Sequence, residues 1–242
     1  MSVASAASVF TFHNLRLLSK KRGDRQPPIT LLDLSPTPTA GYCSEYGYDC
    51  PNLVISAEHP ITASQDDRDV WTVANGVSEM PDGNLLLSFR DISTVVMINR
   101  ATGAVYWKLG APPLAGQHAP HLLANGNVLL FDNGPHRLDH SFPFSRVLEI
   151  DPATKAIVWK YQEARVADFF SPRLSNAQRL PNGNTLINEG WFGRFFEVTR
   201  EGSVVWEYVN PYFGVRERFH VNAVQRAYRY SVEQIDKARA SG

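Results

Sequence analysis

Cysteine is almost absent from this chain: Cys43 and Cys50 are the whole complement in 242 residues, which rules out a disulfide-dense secreted scaffold. No apolar run approaches the roughly 18 residues of a membrane helix, so the chain is not read as membrane-embedded. Charge of one sign is lacking too. Lys and Arg number 24 and Asp and Glu 24, so bulk electrostatics gives no reason to expect nucleic acid or an anionic membrane as a partner. The two cysteines, with six residues between them, suit either a small disulfide loop or two free thiols, and both readings stand. As metal ligands they have only His59 and some carboxylates for company, so no metal site is assigned.

Acidic residues are missing from residues 1–23, which are rich in Ser and Ala and end in Lys20-Lys21-Arg22-Gly23. That composition is closer to a transit peptide than to a secretory signal, whose charges precede its apolar stretch. A disordered tail is the favoured reading, and with no signal peptide a cytoplasmic location is favoured over a periplasmic one. Residues 24–66 carry Pro27, Pro28, Pro36, Pro38, Pro51 and Pro60 among short apolar runs. They are expected to be irregular, with one or two edge strands.

What is present is a repeat. Leu122 and Leu123 lead into Asn125-Gly126, and Val128-Leu129-Leu130-Phe131 leads out. An Asn-Gly pair accepts positive φ, which predicts a hairpin with a type I′ turn. The same signature stands at Pro81-Asp82-Gly83-Asn84 and Pro181-Asn182-Gly183-Asn184. Asn84 and Asn127 are 43 residues apart, Asn127 and Asn184 are 57, close to the period of four-stranded propeller blades. Each hairpin precedes two more strands, the last ending in Trp107, Trp159 or Trp206. These tryptophans are read as packing between neighbouring blades.

The resulting fold class is all-β, a β-propeller of four-stranded antiparallel blades. Its repeats occupy about 72–108, 117–161 and 173–208 within 67–230, with a partial repeat at 218–230 opened by His220-Val221-Asn222. Residues 231–242 are read as a short helix with a Ser cap and a tail. Closing a propeller takes typically four to eight blades, so the ring is either incomplete, and completed by a further copy, or closed by divergent N- and C-terminal segments.

Strand order fixes sidedness. Residues just before the first strand of a blade share a face with those just after the second. This rule gathers Asn75, Arg90 and Asp91 from the first repeat, His118 and the 132–140 loop from the second, and Arg173, Asn176, Glu189, Trp191 and Arg194 from the third. His220 and Asn222 join from the fourth. The second repeat has the longest loop, since Asn127 to Trp159 spans 32 residues against 23 and 22 in its neighbours, and the extra length carries Asn133, His136, Arg137 and His140. Imidazole near neutrality serves as nucleophile or acid–base group, and guanidinium forks onto the oxygens of sulfate, phosphate or carboxylate. An anionic substrate is the inference, with solvated loop residues as the bland alternative. His118 and His121, three apart on a strand, should point to opposite faces and so cannot share a metal ion.

Gln117-His118, followed by Leu122-Leu123-Ala124-Asn125-Gly126-Asn127 and Phe131-Asp132-Asn133-Gly134, resembles the central signature of the bacterial arylsulfotransferase family. The resemblance covers roughly 67–230. It implies a six-bladed propeller with an axial site, no cofactor, an aryl sulfate donor and a phenolic acceptor, and a transient sulfohistidine. His118 and His220 match histidines of the pattern, and Arg137 matches the arginine that holds the sulfuryl oxygens. Those three are the expected catalytic residues. Arg90, Arg173, Arg194, Asn133, His136, His140, Asn75 and Asn222 are the expected substrate-binding ones. Val73 and Arg173 stand where the family commonly has histidine, the latter at the position matched to the nucleophile. Two other readings remain: a non-catalytic propeller binding an anion or a protein, and a quinone-type propeller suggested by Thr102-Gly103-Ala104-Val105-Tyr106-Trp107 but short of eight blades.

Overall fold

The computed structural model describes residues 73–137, 139–216 and 219–240. The expected tail at 1–23, the Pro-rich segment at 24–66 and the pair Cys43 and Cys50 lie outside them. Each repeat folds as a four-stranded antiparallel sheet in sequence order. The first blade is β1 (Ala74–Glu79), β2 (Leu85–Phe89), β3 (Thr94–Ile98) and β4 (Val105–Leu109). The second is β5 (His118–Leu122), β6 (Val128–Asp132), β7 (Arg146–Ile150) and β8 (Ile157–Tyr161). The third is β9 (Asn176–Arg179), β10 (Thr185–Glu189), β11 (Arg194–Val198) and β12 (Val204–Val209). First strands meet across blades, β1 with β5 and β5 with β9, so they are innermost. The fold is an all-β propeller whose described sheets do not close a ring.

The hairpin turns differ from the type I′ expectation. Gly83, Gly126 and Gly183 have positive φ, whereas the Asp or Asn before each does not. Leu123 accepts from Gly126 N–H at 2.9 Å and donates to Asn127 O at 2.8 Å, and the other two turns repeat this pairing. That is a type I turn closed by a glycine in the left-handed region, a three-residue loop with a bulge. The polar side chain drives it: Asn125 Oδ1 accepts from the backbone of Asn127 two residues on, as Asp82 and Asn182 do for Asn84 and Asn184.

Apolar residues fill the spaces between blades. Leu86, Val95, Met97 and Leu109 pack against Val128, Leu130, Leu148 and Ile150, and Leu129, Phe131, Trp159 and Tyr161 pack against Ala177, Ile187, Phe196 and Val198. Trp107 Nε1 donates to Pro152 O and Trp159 Nε1 to Arg200 O, each at 2.8 Å, so a tryptophan clasps the last turn of the next blade. Trp206, with no further blade of described residues beside it, is 43% exposed.

A second clasp reveals the segment beyond the third blade. Asn75 and Ser78 of β1 bond the backbone of Gln117 and Pro120, 42 residues on. Asn176 and Gln178 of β9 do the same to Ala227 and Arg229, 51 residues on. Arg229 then takes over Glu197 and Trp206 as Arg179 takes over Glu149 and Trp159. The segment 227–229 therefore occupies the place of a fourth blade's innermost strand. Before it comes a short hairpin, β13 (Gly214–Arg216) with β14 (Phe219–Val221). After it comes α1 (Val232–Ala240), capped reciprocally by Ser231 and Gln234.

Candidate functional site

The end of the molecule where the first strands begin collects the polar chemistry. His118 opens β5 and is 4% exposed. Its Nδ1 lies 2.7 Å from Asn133 Oδ1 and 3.2 Å from Gly116 O. Both partners are acceptors, so Nδ1 carries the hydrogen and Nε2 the lone pair. Among the described residues nothing bonds to Nε2. Burial first, then the cationic fields of Arg90 and Arg226, pushes the imidazole down to about 3, against the pull of Asn133 and Gly116. His118 is therefore a neutral imidazole in the cationic field of Arg90 and Arg226.

Ala119 adopts φ 52 and bulges β5, so His118 pairs with Phe131 and His121 with Leu129. Because those partners are two residues apart, both histidines lie on one face. This corrects the expectation of opposite faces, and the physical reason is the inserted residue. Each nevertheless turns Nδ1 toward a backbone carbonyl, His121 toward that of Ala119.

Around His118 the sidedness rule brings together Arg90, Asp91, Asn75, Asn133 and His136. Arg90 Nη1 bonds Asp91, and its Nε is buried without a partner among the described residues. Burial pushes Asp91 up, opposed by Arg90, His136 and the exposed Arg173. His136 Nε2 sits 3.2 Å from Ser93 Oγ, which accepts from Gly116 N–H. Asn75 donates through Nδ2 to Gln117 O, while its Oδ1 is buried with no hydrogen-bond partner among the described residues, and Asn133 is wholly buried.

Other expected residues are engaged elsewhere. Arg137 donates through Nε and Nη2 to Phe144 O, through Nη2 to Asp132 and through Nη1 to Asp139, with its guanidinium 4.0 Å over the Phe144 ring. Its side chain is 1% exposed, so it pins the 133–145 loop and leaves little to offer a sulfuryl group. Gly134 makes this possible, since a Cβ there would lie 2.1 Å from Phe144 O. Arg194 is held by Glu189 and Glu207. His140 stacks edge-on to Phe144 in the exposed loop, His220 is exposed on β14, and Asn222 bonds Asn210 O. Sequence reasoning missed two residues. Gln117 Nε2 reaches Ser88, Phe89 and Thr94 of the first blade, and Arg226 Nη2 reaches Asn75 O across 151 residues. The length of that second reach leaves no local signal.

A pH test arises from His118. Its folded value, about 3, lies below the ordinary 6.5, so the unfolded chain takes up a proton that the folded chain refuses between those values. Stability from this group is thus full above about pH 6.5 and is lost as pH falls toward 3. Urea midpoints measured over that range should fall less steeply in His118→Gln than in the parent. Equal slopes would refute the assignment.

A family model described as arylsulfotransferase (ASST) matches residues 52–211. No curated protein matches the sequence significantly. Solved structures similar to the chain include virginiamycin B lyase from Staphylococcus aureus, at 17% identity and TM-score 0.42 over 58% of this chain and 42% of that one. BamB from Moraxella catarrhalis gives 20% and 0.39, over 61% and 42%. A protein of unknown function from Bacteroides caccae gives 20% and 0.37, over 56% and 46%. The chain spans less than half the length of each.

Proposed function

The chain belongs to the arylsulfotransferase family, and from that premise we propose that it transfers a sulfuryl group from an aryl sulfate to a phenol through His118. The observation that carries this reading is the state of that ring: neutral, Nδ1–H held by Asn133, Nε2 unengaged among the described residues, within the cationic field of Arg90 and Arg226. The Nε2 lone pair forms the N–S bond as the S–O bond to the aryl oxygen breaks, and the phenolate departs with the electron pair. The acceptor's oxygen then forms a new S–O bond while the N–S bond breaks, its proton passing to the phenolate or to water. His118 returns neutral. Arg90 and Arg226 supply positive charge to the sulfuryl oxygens as it is needed, the task that the resemblance gives to Arg137.

The test is an incubation of the purified chain with an aryl sulfate and a phenolic acceptor, with mass spectrometry of the sulfated acceptor. Transfer by the parent and its loss in His118→Ala is the expected result. Unchanged turnover in His118→Ala sinks the reading. A second reading, an anion-binding propeller without turnover, is favoured by Arg173, which stands where the family pattern places the nucleophilic histidine. It predicts saturable aryl sulfate binding, no transfer by the parent, and transfer gained in Arg173→His.

A further inference from the structure

Asn133, a substrate contact by sequence pattern, is 0% exposed, and its amide is fully committed. The amide nitrogen donates to Ser171 O at 2.8 Å and Leu174 O at 3.1 Å. Flipping the amide would turn its oxygen onto two carbonyls. Oδ1 must therefore face His118 Nδ1, 2.7 Å away, and an amide oxygen can only accept.

The two carbonyls that fix the amide belong to residues 171–175, which run from the second blade into the third, and this strap is braced by buried serines. Ser145 Oγ donates to Asn133 O and accepts from Ser171 N–H, both at 2.9 Å. Ser171 Oγ donates to Arg173 O and accepts from Trp191 N–H, while Ser175 Oγ donates to Ser171 Oγ and accepts from Gly190 N–H. Ser145, Ser171 and Ser175 are 1% exposed or less. Leu174 and Ser175 are held at φ 65 and φ 82, a conformation that non-glycine residues keep only when their surroundings enforce it. An arrangement so constrained holds Leu174 O where Asn133 needs it.

We propose that Asn133 is a positioning residue: it fixes the tautomer and orientation of the His118 ring, with Nε2 as the lone-pair nitrogen, and the serine-braced strap of the third blade holds Asn133 in turn. The hydrogen-bond geometry makes the reactive state of a second-blade histidine depend on third-blade backbone. Its consequence for rate rests on the reading of His118 as the reacting group, whereas the tautomer stands apart from that reading.

Nitrogen NMR of the full chain labelled with 15N-histidine tests it, with His118→Gln to assign the signal. The parent should show a pyrrole-type Nδ1 and a pyridine-type Nε2 at neutral pH. In Asn133→Ala only the longer contact to Gly116 O, 3.2 Å, is left to hold Nδ1–H, so the ring should sample both tautomers, and kcat for transfer should fall on the order of 10²-fold with KM little changed. Asn133→Asp should shift the His118 titration to higher pH, because a carboxylate facing Nδ1 favours the imidazolium. Ser145→Ala removes the bonds that brace Asn133 O and Ser171 N–H without touching the ring, and should raise the share of the second tautomer by less than Asn133→Ala does; a parent-like ring in Ser145→Ala overturns the strap's part in the proposal. An Nε2–H tautomer in the parent, or a parent-like ring spectrum in Asn133→Ala, overturns the proposal. Should Asn133→Ala fail to fold, the parent spectrum and Asn133→Asp still decide. A parent with the expected spectrum but no sulfuryl transfer would count against the proposed function and leave the positioning role standing.

Discussion

Replacing Asp132 by alanine is expected to lower stability by about 3–5 kcal/mol, because it strands two buried cations. The Asp132 carboxylate is 0% exposed and receives Arg146 Nε at 2.8 Å, Arg137 Nη2 at 3.1 Å and the backbone N–H of Ala115 at 2.7 Å. Arg137 and Arg146 also share Asp139, but that carboxylate is 45% exposed and screened by water. Without Asp132 the guanidinium groups keep their desolvation cost and lose the charge that offsets it. Urea unfolding of Asp132→Ala beside the parent measures the loss. Glu79→Ala, which breaks a pair to Arg100 with both partners more than half exposed, is the control and should change little. If the two variants behaved alike, the buried triad would not be the fastening of the 133–145 loop that its geometry suggests.

Trp159→Ala should cost about 3–5 kcal/mol, and Trp206→Ala under about 1 kcal/mol. The two residues hold equivalent positions, opposite Glu149 and Glu197 on the neighbouring strands. They differ in what lies beyond. Trp159 is 9% exposed, packed against the third blade, bonded to Arg200 O, with Arg179 4.4 Å over its ring. Trp206 is 43% exposed and, among the described residues, has Tyr208 stacked beside it and Arg229 at 5.4 Å. Comparable losses from the two substitutions would mean that in solution something covers β12 as completely as the third blade covers β8.

Much of the blade architecture is legible in one dimension. The Asn-Gly signatures, the strand–turn–strand units and the closing tryptophans each depend on residues within a few positions of one another, and each reappears in the structure. The turn type differs from the expected one because the positive φ expected at Asn125 is adopted by Gly126 alone. The Asn125 side chain stabilises the alternative by capping Asn127 N–H. His121 departs from its expected face for a similar reason: one bulged residue at Ala119 reverses the alternation beyond it, and nothing in the local sequence announces the bulge.

The four-stranded repeat and the face shared by the loops around His118 follow from the chain alone, because strand alternation and hairpin order are local rules. What each polar group does there is settled by packing between blades and their loops. Arg137 and Arg146 are withdrawn into a buried triad, Asn133 is committed to the strap at 171–175, and Arg226 arrives beside Asn75 from 151 residues away. The triad depends on how the loop after β6 folds back on Asp132, and the other two outcomes join segments 38 and 151 residues apart. Which acceptor lies nearest a given donor is set by how the blades fan around their axis, and no spacing along the chain records it.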